Sequence, residues 1–197
     1  MANLFANNTQ KEQLSQREML TNKYMSARHN ILLVLGFSLI NIILLVTNSN
    51  TYFLFSAYIP YIIVDLGMAL CGKYPLEYYG EELESIEFFN DTFFVITLVI
   101  AAIFLLLYLL SWLLCKKPRI GWMIFALVFF GIDTAGMLLL EGISADMILD
   151  IVFHAWVIVS LSGAVSAYFK LKKLSEEADA PVEVLADTMP VEQTEEI

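Results

Sequence analysis

The sequence predicts an all-α integral membrane protein with four transmembrane helices plus one re-entrant or broken interfacial segment. Three observations lead there. Apolar residues form 58% of the 197-residue chain and charged residues only 16%, more hydrophobic surface than one soluble core of this size can hide. Long charge-poor runs recur, most of them about 18 residues or more, the length that crosses a ~30 Å hydrocarbon layer. The 11 lysines and arginines are distributed so that four crossings satisfy them and five do not.

Residues 1–30 read as a cytoplasmic surface helix leading into the first span. Thr9-Gln10-Lys11-Glu12 matches a capping box, and Leu20 with Tyr24 makes an apolar i,i+4 pair. The first span is 31–47. Basic residues precede it, and Val46-Thr47-Asn48-Ser49-Asn50 offers no small-x-small pattern, so a removable signal peptide is not expected.

Residues 51–71 are apolar but interrupted. Pro60 removes a backbone donor from the middle of the run, Asp65 adds a charge and Gly67 loosens a helix. Tyr52, Tyr58 and Tyr61 suit an interfacial depth. This is the re-entrant candidate.

An acidic stretch follows, in which Leu76, Tyr79, Leu83 and Ile86 recur at helical spacing with Glu77, Glu81, Glu84 and Glu87 largely on other faces. The pattern predicts an outer amphipathic helix over 76–89. Its acids read as a solvated face. The remaining spans are 91–115, 120–140 and 147–169, completing a membrane domain over 31–173. Residues 174–197 hold eight acids, no lysine or arginine, and two prolines; such a tail is expected to be disordered.

Positive charge threads the chain. Lys116, Lys117 and Arg119 belong to one short turn, and Lys170, Lys172 and Lys173 close the last run; both regions should be cytoplasmic. If 51–71 returns to the face it left, ten basic residues lie inside and only Lys73 outside. If it spans, the division is six against five. The first arrangement fits far better, with both termini cytoplasmic in a plasma membrane.

Net charge of −10 and the lack of a basic face exclude a nucleic-acid surface. The two cysteines, Cys71 and Cys115, are too few for a zinc site or disulfide framework, and the threading puts them at opposite faces. Gly67-Met68-Ala69-Leu70-Cys71-Gly72-Lys73 approaches a phosphate-loop pattern but lacks the following Ser/Thr and a preceding strand. No HExxH or GxSxG motif appears. No catalytic residue, cofactor or metal site is therefore expected. Trp112, Trp122 and Tyr168 read as interface anchors, and the small residues of the last run as helix-packing positions.

Ionisable groups inside a span need a partner or a task. Asp133 and His154 are equidistant from the turn between the last two runs, so they should be level, roughly 10 Å below the outer ends at 1.5 Å per residue. Asp150 shares a face with His154 at i,i+4, and Asn41 lies in the outer third of the first span. A cluster of Asp133, His154, Asp150 and Asn41, with Asp65 near its mouth, is the candidate site for a proton, cation or small solute. The competing expectation is that Asp133 and His154 merely fasten two helices. The first makes the chain a binder or conductor, the second a membrane-embedded assembly or regulatory subunit. An intramembrane enzyme using His154 with a carboxylate would need a nucleophile or metal; one histidine and two carboxylates could hold a metal, but nothing in their spacing demands it. The lipid bilayer is the expected partner, joined by a second copy or another membrane subunit.

Three stretches, Phe55-Ser56-Ala57-Tyr58-Ile59-Pro60-Tyr61, Phe130-Gly131-Ile132-Asp133-Thr134 and Asp150-Ile151-Val152-Phe153-His154-Ala155-Trp156, resemble small multi-pass bacterial membrane proteins of uncharacterised function. The resemblance implies a bacterial plasma-membrane setting and carries no activity or ligand with it.

Overall fold

In the computed structural model, residues 2–49, 51–80, 87–145 and 147–179 are described. They form five α-helices and no strand: α1 Ala2–Val46, α2 Tyr58–Leu70, α3 Asp91–Leu114, α4 Ile120–Leu140 and α5 Ile148–Asp179. Four of these, all but α2, are long and apolar enough to cross a membrane. Their outward faces carry large apolar side chains, among them Leu139 at 84% exposure and Val159 at 69%. So continuous an apolar surface is compatible with lipid as the surrounding medium.

The long helices form a ring in which α1 packs on α5 and α3, and α4 packs on α5 and α3. The short α2 is wedged among α1, α3 and α4. Two apolar cores result. One joins Tyr24, Ile31 and Val34 of α1 to Tyr108, Phe130 and Leu161; the other joins Ile42 and Leu45 to Val64, Met68 and Ala101. Between them on α1 lie Ser38 and Asn41, both buried. A polar layer thus separates two hydrophobic ones.

Helix ends follow from local chemistry. Helix α1 stops in a Schellman motif, with Asn48 at φ 52°, its N–H donating to Leu45 O and that of Ser49 to Leu44 O, both at 2.9 Å. Helix α2 ends the same way at Gly72, φ 64°, with Lys73 N donating to Met68 O at 2.9 Å. An added Cβ at Gly72 would also meet the Phe88 ring at 3.1 Å. The Asn90 side chain caps α3 by accepting from Phe93 N at 3.2 Å.

Entry to and exit from the 51–71 segment lie side by side. Asn48 Nδ2 donates to the Lys73 carbonyl at 3.2 Å, and Lys73 Nζ reaches Asp91 at the start of α3 at 2.6 Å. The chain runs inward without helix through 51–57 and comes back as α2, whose 13 residues cover only ~20 Å at 1.5 Å per residue. Pro60 is not the mid-run breaker that the sequence suggested. It lies in the first turn of α2, where a missing N–H costs nothing.

Other boundaries also move. The surface helix of 1–30 and the span of 31–47 are one continuous α1. The helix expected over 76–89 begins as a 3-10 turn, Leu76–Tyr78, and residues 87–90 are not helical; its centre, 81–86, lies outside the described residues. Helix α5 continues past 169 to Asp179, so 174–179 of the expected disordered tail is helical, and 180–197 lies outside the described residues. Of the two glycines of the phosphate-loop look-alike, Gly67 is inside α2 and Gly72 ends it. Cys71 and Cys115 are free and buried.

Candidate functional site

A helix beginning inside a protein exposes four N–H groups that need acceptors. At α2 each is accounted for. Ala57 N donates to Ser38 Oγ at 2.7 Å, Tyr58 N to Asp133 Oδ2 at 2.8 Å and Ile59 N to Asp133 Oδ1 at 2.8 Å; the fourth position is Pro60, which has no N–H. The Asp133 carboxylate therefore plugs the positive end of α2, where a negative charge is also favoured by the helix dipole. It is 2% exposed, and a charge so deep requires this compensation.

Asn41 serves the non-helical run before α2. Its Nδ2 donates to Phe53 O at 2.7 Å and to Ser56 Oγ at 2.8 Å, and its Oδ1 accepts from Phe53 N at 2.8 Å. Tyr52 Oη lies 3.0 Å from Ser56 Oγ. Within this run Phe55 adopts φ 77°, a left-handed conformation that costs a bulky residue energy. Its ring is held against Phe153 and Phe37, at 4.0 and 5.9 Å between centroids.

His154, 1% exposed, stacks on Phe130 at 5.1 Å. Its Nδ1 is 2.8 Å from the Asp150 carbonyl. A carbonyl only accepts, so Nδ1 carries a hydrogen there, and in the neutral ring Nε2 is a bare acceptor. Nε2 faces Asp133 Oδ2 at 3.7 Å, too far for a hydrogen bond. Two acceptors face each other with room for one proton between them. His154 Nε2 and Asp150 Oδ1 are both buried and without a hydrogen-bond partner.

The expected cluster thus divides. Asp133 and His154 are level and adjacent. Asp150 meets His154 through its backbone carbonyl rather than its carboxylate. Asn41 joins them by way of segment 53–59, which α1 holds through Asn41, α4 through Asp133 and α5 through Phe153 against Phe55. Asp65 is drawn elsewhere, accepting a short hydrogen bond from Tyr74 Oη. Burial and that carboxylate together push the Tyr74 phenol well above its ordinary range. Tyr58 Oη donates to Glu141 Oε1 at 2.7 Å.

Sequence reasoning assigned no site role to Ser38, Ser56 or Glu141, and read Tyr58 only as a residue suited to an interfacial depth. Isolated serines in an apolar run carry little signal, and their role depends on where α2 starts. At the opposite, basic end, Asn30 donates to Ser160 at 2.7 Å and Arg28 Nε to the Trp112 carbonyl at 2.8 Å. The Arg28 guanidinium also lies 4.6 Å from the Trp112 ring centre. Trp112 is therefore a packing partner as well as a candidate anchor. Among the described residues no group of three or more His, Cys, Asp or Glu is placed to hold a metal ion.

Beyond α2, at the end where 48 meets 73, lies an open cavity of about 430 Å³. Thr51 and Tyr52 of the non-helical run form part of its wall, together with Tyr61 of α2. No protein-family model, curated protein or solved structure matches this chain.

Proposed function

We propose that the protein is a plasma-membrane protein with four spans and one re-entrant segment, both termini cytoplasmic, that binds or passes a small solute at its outer end under the control of a buried proton. The observation carrying this reading is the unpartnered His154 Nε2 facing, at 3.7 Å, the same Asp133 oxygen that seats Tyr58 N. A proton on Nε2 attracts that oxygen and competes with the Tyr58 N–H. Its loss returns the carboxylate to the helix end. Proton occupancy is thereby linked to the seating of α2, and α2 with segment 51–57 walls the outer cavity. Irregular backbone at membrane depth is tolerated where it lines such a cavity.

Amide hydrogen exchange of the full-length protein in lipid nanodiscs tests the linkage. Protection at Tyr58 and Ile59 should change with pH, and His154→Gln should abolish that change. Identical protection at every pH tested in the wild type would refute the proton control.

A second reading, an assembly or regulatory subunit, draws support from one feature. Asp133, Asn41 and Ser38 each hold backbone groups of 53–59, as a purely structural framework would. Removal of residues 175–197 should then release a co-purifying membrane protein. Unchanged complexes would count against it.

A further inference from the structure

We infer that the outer cavity is a binding site for a small organic ammonium ion, a proposal that rests on reading this cavity as a solute site. Its volume of about 430 Å³ falls in the range of small-ligand pockets, roughly 300–1,000 Å³. Four tyrosines, Tyr52, Tyr61, Tyr74 and Tyr78, dominate its wall. They stand as two pairs: Tyr52 and Tyr61 edge to face at 5.1 Å, Tyr74 and Tyr78 stacked at 4.4 Å. One pair comes from the two arms of the 51–71 excursion, the other from the loop that follows it. Aromatic faces carry negative electrostatic potential, and several converging on one space form the arrangement that recognises alkylated ammonium groups.

Charge points the same way. Among the described lining residues Glu77 is the charged one. Behind the wall, Asp65 accepts from the hydroxyl of Tyr74. The neighbouring Lys73 is bent away, with its ammonium on Asp91 at 2.6 Å and 5.9 Å from the Phe94 ring centre. An anion would meet the Glu77 carboxylate and tyrosine rings, with no cation among the described lining residues to receive it. A hydrated metal ion would need a set of converging oxygens or imidazoles, and none is grouped among the described residues. The N-terminus of α2, the other place where an anion could settle, is already filled by Asp133. A weakly hydrated organic cation suits aromatic faces with a carboxylate at the rim.

The ammonium group could belong to a free solute or to a lipid headgroup, and titration calorimetry with choline chloride separates the two. The full-length protein is placed in nanodiscs of phosphatidylglycerol, which has no ammonium group. Choline should bind saturably, and 3,3-dimethylbutanol, its uncharged isostere, should bind at least about tenfold more weakly. Tyr74→Ala should weaken choline by about tenfold, whereas Tyr74→Phe, which keeps the ring face, should hold within about threefold of wild type. In phosphatidylcholine discs a headgroup site would appear filled and choline binding would vanish; a free-solute site would bind as before. Either result upholds the ammonium assignment. Equal binding of choline and dimethylbutanol overturns it, as does no choline binding in phosphatidylglycerol discs. Choline binding without pH-linked exchange at Tyr58 would leave this site standing and remove the proton control. Linked exchange without choline binding would do the reverse.

Discussion

Asp133 holds two backbone N–H groups at once, which ties its carboxylate to structure before any other role. Asp133→Asn keeps one acceptor and turns the amide NH₂ toward the second N–H, so it should destabilise the protein by about 1–3 kcal/mol, the cost of an unmet buried donor. Asp133→Ala should cost more than the asparagine. His154→Gln should cost less than either, because Nε2 makes no hydrogen bond. Thermal unfolding in detergent ranks the three, and a ranking with His154→Gln as the most damaging would contradict this account. Tyr74 gives a second residue-level test. Its phenol stays neutral through the range near 10 where a free tyrosine ionises. A group raised in the folded state lends stability below its unfolded pKa and loses it as pH climbs through the folded one. The Tyr74–Asp65 contact should accordingly persist past pH 10, and ultraviolet titration of Tyr74→Phe should lack one late-ionising phenol.

Element by element, what the sequence revealed depended on how the information was encoded. Helices α3 and α4 were legible to within a residue because an uninterrupted apolar run states both its length and its ends. The junction between 1–30 and 31–47 was not, since nothing in Arg28-His29-Asn30 stops a helix. The start of α2 was hidden for another reason. Its acceptors come from Ser38 and Asp133, on helices distant in sequence, and Pro60 looks alike whether it breaks a helix or opens one. Level placement of Asp133 and His154 followed from counting residues. The capping role of Asp133 could not, because it needs the position of a backbone N–H. Helical spacing over 76–89 misled where tyrosines stack on each other, with Gly80 at φ 56°, instead of facing one surface. Gly67 exposes a feature of α2 that spacing does not show. A Cβ there would lie 2.2 Å from Thr97 Oγ1 of α3, so Gly67→Ala should destabilise by about 1–3 kcal/mol through overpacking. Thr97→Ala in the same protein should restore much of that loss. Additive penalties would mean that α2 does not press on α3 at this point.

For the molecule as a whole, the four long apolar helices and their exposed apolar faces agree with the expected membrane setting, and orientation is the next question. Single cysteines at Ser49, Lys73 and Ile143, on a background lacking Cys71 and Cys115, should react with an impermeant maleimide added to intact cells. A cysteine at Pro118 should react only after permeabilisation. Labelling of 118 and 143 from the same side would break the threading, since α4 lies between them.

Helix α1 has a mechanical side. Its 45 residues make an unbroken rod of ~68 Å at 1.5 Å per residue, more than twice the ~30 Å lipid interior. Near one tip Leu14 and Met19 stand exposed, and Arg17 braces the rod against α5 through the Leu174 carbonyl at 2.9 Å. Farther along sit Ser38 and Asn41, the anchors of the unwound stretch. One rod thus carries both the brace at Arg17 and the anchors of segment 53–57, so a displacement of α1 along its axis would be handed directly to the backbone that Ser38 and Asn41 hold.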